Sequence, residues 1–440
     1  MGRRRIPQAP VLVLANAKGE ICEYPGLRMA GMSGGCPVAP RPEELIPLPP
    51  GSDLFVLPGR LPLGLDHSGA PVVLETNPYD PGAGIQAVAA FMAPAHTAIL
   101  SAAFQRPRAE LPPLPLFAYT AVGWQRGRFV VAAFRSDPDP RQDADQFNLR
   151  RLERETRARL AELPHNRLVQ HLGHCCLVYG CPAARNYFLG RWEAPLPCSP
   201  VCNARCVGCI SLQPSGCCPS TQERIRFVPS PTELAEIAVP HLQQAPRPVA
   251  SFGQGCEGEP LLQAETIARA IRRIRRETDR GTINLNSNAS LPEAIRELAA
   301  AGLDSLRVSL NSARAECHQR YYRPHGFGLT EVMESIRVMK RAGRFVSLNY
   351  FILPGFTDDP AEYEALCQLL DDCNPDLIQL RNLNMDPYWY LDSVGHAPAD
   401  PPLGIAAWHQ RLRDRYPRLR FGYFNPCLDE GAAEHRHPSA

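Results

Sequence analysis

The residues of this chain with the clearest capacity for chemistry are three closely spaced cysteines. Cys202, Cys206 and Cys209 stand in "CNARCVGC" with the spacing C-x3-C-x2-C. Three thiolates this close together can bind one soft metal centre. A structural zinc site takes four ligands, so counting leaves zinc open. The nearby cysteines that offer a fourth thiolate are Cys198, Cys217 and Cys218.

The elements that must position these cysteines alternate between strands and helices from about residue 190 onward. The predicted strands are "EAPLP", "VASFGQG", "TINLNSN", "SLRVSLN", "FVSLNYFI" and "DLIQLRN". The predicted helices lie near 231–243, 261–278, 291–301, 329–342 and 360–373. Six such repeats with apolar strands predict an α/β fold with a parallel sheet covered by helices. The sheet is then a three-quarter barrel or an open sheet, and ligands bind at the carboxyl ends of its strands.

The position of the cysteines in this pattern bears on their chemistry. They follow the first predicted strand directly, which places them at the ligand-binding edge of the sheet. Three cysteines in such a loop favour a [4Fe–4S] cluster with one iron left open for a substrate or cofactor.

Helix boundaries are marked by capping residues. We expect Ser290 to cap the helix that contains Pro292, and Gly302 to end it. Asp359 precedes Pro360, and this pair predicts the first residues of another helix.

The remaining chain divides by composition. Residues 1–165 are rich in proline and include "LFAYTAVGWQRGRFVVAAF" (116–134), which predicts a β-hairpin that turns at residues 125–127. We expect an N-terminal accessory domain over 1–165, a Cys/His-rich connector over 166–190, a core over 191–390 and a C-terminal extension over 391–440. The extension contains a predicted strand, "RLRFGYF".

Four segments that follow the cysteines are similar, in order, to the motifs of a known family. "GQGCEGEP" resembles its GGEP motif, with Gly258, Glu259 and Pro260 in place and Glu257 where the first glycine usually stands. "NSNAS" looks like the Thr-Asn-Gly segment of that family. "SLRVSLNS" resembles the family's fourth strand, and "YFILPGFTDD" resembles its fifth strand and the loop that follows. Together with the cysteine spacing, these segments make roughly residues 190–390 resemble the radical S-adenosylmethionine (radical SAM) superfamily.

The resemblance implies a partial (β/α)6 TIM-like barrel, here with a β-containing, Pro-rich N-terminal domain. It implies that Cys202, Cys206 and Cys209 bind three irons of a [4Fe–4S] cluster and that SAM chelates the fourth iron. An electron from the reduced cluster would cleave SAM to methionine and a 5′-deoxyadenosyl radical, which takes hydrogen from the substrate.

The resemblance also implies a set of SAM contacts. Ser309 and Asn311 would face the SAM ribose, and Arg323 would approach its carboxylate. The alternative for Glu259 is an ordinary carboxylate at a helix N-terminus. The full set of expected cofactor contacts is Glu257, Gly258, Glu259, Pro260, Asn286, Asn288, Ser309, Asn311, Arg323 and Ile352.

The expected partners are SAM, a substrate that is a small molecule or a peptide or protein, and an electron donor such as ferredoxin or flavodoxin. The competing hypothesis is a non-enzymatic iron–sulfur or zinc module that carries electrons or binds a partner. That hypothesis explains the cysteines but not the motifs on the later strands.

Two groups of cysteines remain. Cys256 lies inside the GEP motif, where it could donate hydrogen, although packing as a small buried residue is the commoner use of a lone thiol. "HLGHCCLVYGCPAARNYF" contains two histidines and three cysteines that could bind an auxiliary iron–sulfur cluster together with Cys427. The favoured alternative is a helix that packs on the first strand. These five residues are His171, His174, Cys175, Cys176 and Cys181.

Composition excludes several classes of protein. The net charge of +2 argues against a strongly basic nucleic-acid binder. No segment reaches the ~18 apolar residues of a membrane-spanning helix, and Pro7 and Pro10 interrupt the apolar run near the N-terminus, unlike a secretory signal. We therefore expect a cytoplasmic protein, where clustered cysteines are more often metal ligands or redox groups than disulfides.

Overall fold

The computed structural model describes residues 9–108, 110–213, 216, 218–397 and 400–429. Cys217, one of the candidate fourth ligands, lies outside the described residues, as do residues 1–8 of the N-terminal segment. The described chain builds an antiparallel β-structure from its N-terminal part and a parallel sheet with helices from the remainder.

The N-terminal β-structure is a main sheet with a small second sheet beside it. Its strands are β1 (Val11–Asn16), β2 (Ile21–Met29), β3 (Gly31–Ser33), β4 (Cys36–Val38), β5 (Leu45–Pro47), β6 (Asp53–Leu57), β7 (Leu61–Leu65), β8 (Pro71–Val73), β9 (Ile85–Phe91), β10 (His96–Ala98), β11 (Ser101–Ala102), β12 (Phe104–Gln105), β13 (Val122–Gln125) and β14 (Arg128–Arg135). The central order is β10-β14-β13-β1-β2-β7-β12. Strands β5, β8 and β9 pair with strands of this order, β6 pairs with β9, and β11-β3-β4 form the second sheet.

The parallel sheet follows strict chain order. Its strands are β15 (Glu193–Leu196), β16 (Val249–Phe252), β17 (Thr282–Ser287), β18 (Ser305–Leu310), β19 (Phe345–Ile352), β20 (Leu377–Asn382) and β21 (Arg420–Gly422). The first six are the strands that the sequence predicts. The seventh is the strand predicted in the C-terminal extension, and it pairs parallel to β20.

Helices connect these strands and join the two parts of the fold. They are α1 (Leu149–Glu162), α2 (Arg167–Leu177), α3 (Pro182–Phe188), α4 (Pro231–Gln244), α5 (Ala264–Glu277), α6 (Pro292–Ala301), α7 (Ala315–Tyr322), α8 (Leu329–Arg341), α9 (Pro360–Cys373), α10 (Pro387–Val394) and α11 (Ile405–Arg415). Short 3-10 turns occupy Pro42–Glu44, Ala144–Gln146 and Pro260–Gln263. None of the helices in the described residues combines the length and apolarity needed to span a bilayer.

The parallel sheet has one apolar face and one polar face because side chains alternate along a strand. In β18, Leu306 and Val308 are fully buried in the core shared with the helices, whereas Arg307 and Ser309 take the opposite face. A sheet covered by helices on both faces has nearly continuous apolar strands. The alternation therefore indicates that helices cover one face only.

Asn425, just after β21, shows that the polar face is the inside of a curve. Its Nδ2 donates to Glu193 Oε1 in β15 at 2.9 Å, and its Oδ1 accepts from Gln379 Nε2 in β20 at 3.0 Å. In a flat sheet these two strands would be five spacings of ~4.8 Å, or about 24 Å, apart. One asparagine side chain bridges them only because the sheet curls. The architecture is the predicted partial barrel.

The N-terminal β-structure lies against the carboxyl ends of the later parallel strands. Asn382, the last residue of β20, accepts at Oδ1 from Ala98 N (2.8 Å) and donates from Nδ2 to His96 O (2.9 Å). Both partners belong to β10. The N-terminal part therefore covers the edge of the barrel at which ligands of such folds bind.

Most local predictions are confirmed, and one cap is wrong. The predicted hairpin is β13–β14, and its two turn residues, Arg126 and Gly127, both have positive φ, as a type I′ turn requires. Asp359 caps α9, and Gly302 ends α6 in a left-handed conformation. Ser290 does not cap α6, because its Oγ accepts a hydrogen bond from Asn203 instead and the helix begins without a side-chain cap.

Candidate functional site

The three cysteines lie in the loop that follows β15 and are partly buried. Burial, together with the charges of Cys209 and Cys202, raises the pKa of the Cys206 thiol well above its usual range. Burial and the nearby Glu259 raise the pKa of Cys202 to about 11. The three cysteines thus lie within electrostatic reach of one another, and metal binding must displace the protons of Cys202 and Cys206.

An arginine that no sequence motif marks stands beside this loop. Arg224 Nη2 lies 3.5 Å from Cys209 Sγ, and Arg224 Nε donates to Ser211 Oγ at 3.2 Å. Ser211 Oγ in turn donates to Glu257 O at 3.0 Å. A guanidinium in this position places a positive charge beside Cys209 Sγ, where it can interact with a bound cluster.

The predicted SAM-binding segment lies directly on the cysteine loop. Gly258 N donates to Ser199 O at 2.7 Å, and Glu259 N donates to Val201 O at 2.8 Å. A Cβ on residue 258 would stand 1.9 Å from Val201 O. Only glycine allows this approach, so Gly258 is required for the two loops to form one unit.

Glu257 anchors the same pair of loops. Its buried carboxylate accepts from the backbone N–H of Cys198 (2.8 Å), Ser199 (2.9 Å) and Gln254 (2.6 Å). Burial raises its pKa to about 7, and these hydrogen bonds oppose the rise. The residue that stands in place of the usual glycine therefore ties the end of β16 to the start of the cysteine loop.

Glu259 occupies the N-cap position of the turn that begins at Pro260. Its buried carboxylate accepts from Leu261 N (3.0 Å), Ser287 Oγ (2.6 Å) and Asn288 N (2.9 Å). Burial raises its pKa to about 7, against the effect of these donors. This is the helix-terminus role that the sequence left as the alternative, and contact of Glu259 with SAM stays a prediction.

The two predicted asparagines after β17 face different neighbours. Asn288 Nδ2 donates to Asn203 Oδ1 in the cysteine loop at 2.9 Å, so the third segment joins the same unit. Asn286 lies on the polar inner face, where its Nδ2 donates to Gly253 O at 2.7 Å. Asn203, in the middle of the cysteine motif, is a positioning residue that spacing alone does not reveal.

The remaining predicted contacts spread around the edge of the barrel. Ser309 ends the inner face of β18, and Asn311 follows it, fully buried, with an Oδ1 that has no hydrogen-bond partner in the described structure. Ile352 lines a small cavity between the N-terminal part and β20. Arg323 is exposed at the end of α7.

The end of α7 also supports the cysteine loop. Arg205 N donates to Tyr322 O at 2.9 Å, and Val207 N donates to Tyr321 O at 3.0 Å. Arg323 directly follows Tyr321 and Tyr322 in sequence, and its contact with the SAM carboxylate stays a prediction. Cys218 is buried in the apolar cluster that contains Val207.

The cysteine loop fits a multi-iron cluster better than a single zinc ion. Among the described residues, Cys202, Cys206 and Cys209 do not belong to any group of three or more potential metal ligands whose ligand atoms all lie within 4.8 Å of one another. A single ion needs convergent ligands, whereas cysteines that bind different irons stand further apart. Three partly buried thiols and one arginine, without a fourth convergent ligand in the part of the chain that the structure describes, suit a cluster with an open iron.

The polar inner face carries two half-buried arginines. Arg307 Nη2 donates to Asn349 Oδ1 and Arg381 Nη2 to Tyr423 O, both at 2.7 Å. The Nε of each has no hydrogen-bond partner in the described structure. Burial and the charge of Arg381 lower the pKa of Arg307 to about 9, while Glu193 opposes the shift. Two guanidinium groups thus stand within electrostatic reach of each other inside the barrel.

Comparison with known proteins places this site in a family. The model described as "Radical SAM superfamily" matches residues 196–366, from the last residue of β15 into α9. This match confirms the resemblance that the motifs indicate, and that family uses a [4Fe–4S] cluster and SAM. Because it spans the later strands as well as the cysteines, it does not favour the non-enzymatic alternative.

Individual relatives match over part of their length. The probable dual-specificity RNA methyltransferase RlmN of Synechococcus sp. (strain JA-2-3B'a(2-13)) is 33% identical over 135 residues, 30% of this chain and 38% of that protein. The FeMo cofactor biosynthesis protein NifB of Klebsiella pneumoniae is 25% identical over 177 residues, 37% of each chain. The chain thus spans less than two fifths of these curated relatives. A crystal structure of a radical SAM methyltransferase from Sphaerobacter thermophilus is 18% identical, with a TM-score of 0.35 over 52% of this chain and 66% of that one.

Proposed function

Because the chain belongs to the radical SAM superfamily through residues 196–366, we propose that it is an enzyme that cleaves SAM reductively to start a radical reaction on its substrate. The observation that carries this proposal is the pairing of the two loops. Gly258 N and Glu259 N donate to Ser199 O and Val201 O, so the cysteines and the predicted SAM-binding segment are held as one rigid unit.

The chain's own residues would do the binding and positioning. Cys202, Cys206 and Cys209 would hold a [4Fe–4S] cluster, which supplies the electron that cleaves SAM to methionine and a 5′-deoxyadenosyl radical. Glu257 and Glu259 are already bound to backbone donors, so we assign them to hold the loops in place. Backbone carbonyls around Gly258 are then the acceptors for the SAM ammonium group.

The N-terminal part would protect the reaction from solvent. It meets the carboxyl end of β20 through the reciprocal hydrogen bonds of Asn382 with β10. A radical that abstracts hydrogen reacts with whatever is within reach, so exclusion of water and other molecules is part of the protein's task.

The test of this function is the product of SAM cleavage. Protein reconstituted anaerobically with iron and sulfide should form 5′-deoxyadenosine from SAM when dithionite is added. Cys206→Ala should abolish that product, whereas Cys22→Ala, in strand β2 of the N-terminal sheet, should leave it unchanged. Absence of 5′-deoxyadenosine from wild-type protein with an intact cluster would disprove the proposal.

The inner face of the barrel suggests what part of a substrate binds there. Arg307 and Arg381 lie on that face with unpartnered Nε groups, and buried guanidinium groups bind carboxylates and phosphates well. We therefore propose a substrate, either a small molecule or the side chain or terminus of a peptide, that places an anionic group against these arginines.

This substrate proposal is tested by untargeted mass spectrometry of anaerobic cell extract. Anionic compounds consumed by wild-type protein with SAM should persist with Arg307→Met. Arg272→Met, on the exposed side of α5, is the matched control and should behave as wild type. Equal consumption by Arg307→Met would contradict the proposal without affecting SAM cleavage itself.

The supply of electrons and the cellular location belong to the same proposal. We expect a low-potential ferredoxin or flavodoxin to reduce the cluster, and we expect the cytoplasm as the compartment. Reducing conditions there keep cysteines as thiols. Reduction of the cluster by purified flavodoxin in place of dithionite would test the first of these expectations.

A further inference from the structure

Three side chains of the types that bind metals converge where the connector meets the loop after β16, outside the cysteine loop. His171 and Cys175 lie one turn apart on α2, and Cys256 lies in the loop after β16, some 80 residues away. One ligand atom from each, the imidazole nitrogen and the two Sγ atoms, all lie within 4.8 Å of one another. Cys175 Sγ is 3.6 Å from His171 Nε2. The distance in sequence is the reason that spacing alone does not find this group.

The group is largely removed from solvent. Cys175 is 1% exposed and Cys256 is 6% exposed, while His171 is partly buried. A buried cysteine commonly packs as a small apolar residue. Cys176 on the same helix packs in the hydrophobic core, and its Sγ lies 3.4 Å from the hydroxyl Oγ1 of Thr156. Cys175 differs because its thiol meets another thiol and an imidazole rather than a satisfied hydroxyl.

We propose that His171, Cys175 and Cys256 bind one zinc ion. Imidazole nitrogen and thiolate sulfur are the ligands that zinc takes in closed structural sites, which have four ligands. We assign Cys181 as the fourth ligand, because it stands at the start of α3 and its backbone N–H donates to Cys175 O at 3.0 Å. Binding exchanges each ligating thiol proton for a sulfur–zinc bond and releases the protons to solvent, without any change of oxidation state.

The site would fasten the connector to the SAM-binding loop. Cys256 immediately precedes Glu257, whose carboxylate holds the start of the cysteine loop. A zinc ion bound by both α2 and Cys256 would therefore hold the loop after β16 against the connector, independently of the iron–sulfur cluster. In this assignment Cys256 is a metal ligand and not a hydrogen donor.

The experiment measures zinc and iron in the same purified full-length protein, with zinc supplied in the growth medium. We expect about one zinc per chain in wild type, as for a closed four-ligand site, and its loss in Cys175→Ser and Cys256→Ser. Cys176→Ser is the matched control on the same helix and should retain zinc. Cys202→Ala should lose iron but keep zinc, which separates this proposal from the proposed SAM chemistry.

X-ray absorption at the zinc edge of wild-type protein identifies the atoms that bind zinc, and it tests the site even where a variant does not fold. A first shell of sulfur with one nitrogen, with Zn–S of about 2.3 Å and Zn–N of about 2.0 Å, supports the site. Zinc-free wild-type protein, a shell of oxygen ligands, equal zinc in wild type and folded Cys175→Ser, or iron in place of zinc at these residues would overturn it.

Discussion

Arg60 Nη2 lies 3.3 Å from Asp386 Oδ2, and the two side chains are only 3% and 2% exposed. The pair joins the loop between β6 and β7 to the start of α10, across 326 positions of sequence. Asp386 also accepts from Leu114 N at 3.0 Å and from Tyr388 N at 2.9 Å. One buried carboxylate thus fixes the N-terminal part over the segment that follows β20.

Replacing Asp386 by Asn should destabilise the protein strongly. The substitution leaves the Arg60 guanidinium buried without its counter-charge, and breaking a buried pair in this way costs about 3–5 kcal/mol. Denaturation by urea should show this loss in the free energy of unfolding. Glu153→Gln, which removes the exposed partner of Arg157 on α1, should cost no more than about 0.5 kcal/mol. Equal effects of the two substitutions would contradict the structural role of the buried pair.

Gly258→Ala should damage the cysteine site without touching a cysteine. The new Cβ would stand 1.9 Å from Val201 O, so the two loops must separate. We expect less iron per chain after reconstitution and a loss of about 1–3 kcal/mol of stability, typical of overpacking. Gly82→Ala is the control, because its Cβ would meet only Asp80 Oδ1, at 3.8 Å. Normal iron loading of Gly258→Ala would show that the loops need not pair.

Much of this architecture follows from local sequence signals. The cysteine spacing, the alternation of strands and helices, and the cap at Asp359 are properties of short segments, and each predicts its element within a few residues. The sequence of β18 also bears on the choice between an open sheet and a barrel. Polar residues such as Arg307 alternate there with apolar ones, which indicates that helices cover only one face of the sheet. This alternation alone predicts neither the curvature of the sheet nor the polar lining of the barrel.

The contacts that sequence does not reveal join segments that only the curved sheet brings together. Asn425 reaches Glu193 because the sheet curls, and Cys256 reaches Cys175 because β16 lies beside β15 and the connector packs behind them. Arg224 stands in a loop with no regular pattern, so nothing in its neighbours marks it as a partner of Cys209. The predicted cap at Ser290 is wrong for the same reason, since the partner of Ser290, Asn203, lies 87 residues away.

Arg224→Met should make the cluster harder to reduce. The substitution removes a positive charge and a hydrogen-bond donor 3.5 Å from Cys209 Sγ, and both favour the reduced, more negative cluster. A redox titration followed by electron paramagnetic resonance should show a lower midpoint potential. Arg226→Met is the matched control, because Arg226 is 83% exposed and pairs with Glu223. Equal potentials in Arg224→Met and wild type would remove Arg224 from the site.

Acid should destabilise the protein partly through His241 on α4. Its ring is buried, with Nε2 2.8 Å from Trp192 O, and burial lowers its pKa to about 4. The unfolded chain takes up this proton near the ordinary histidine pKa of about 6.5, and the folded chain does so only near 4. Stability is therefore lost as the pH falls from about 6.5 towards 4 and is retained above that range.

His241→Gln should flatten this pH dependence. An amide can still donate to Trp192 O but does not titrate, so the variant should lose about 1 kcal/mol less than wild type between pH 7.5 and 5.5, the scale set by one pKa unit of linkage. Urea denaturation at the two pH values measures the difference. His67→Gln, in the exposed turn between β7 and β8, should keep the wild-type slope. If both variants keep it, His241 does not pass from a neutral to a charged ring on unfolding, and the acid sensitivity of the fold must come from other buried groups such as His318, whose pKa burial also lowers to about 4.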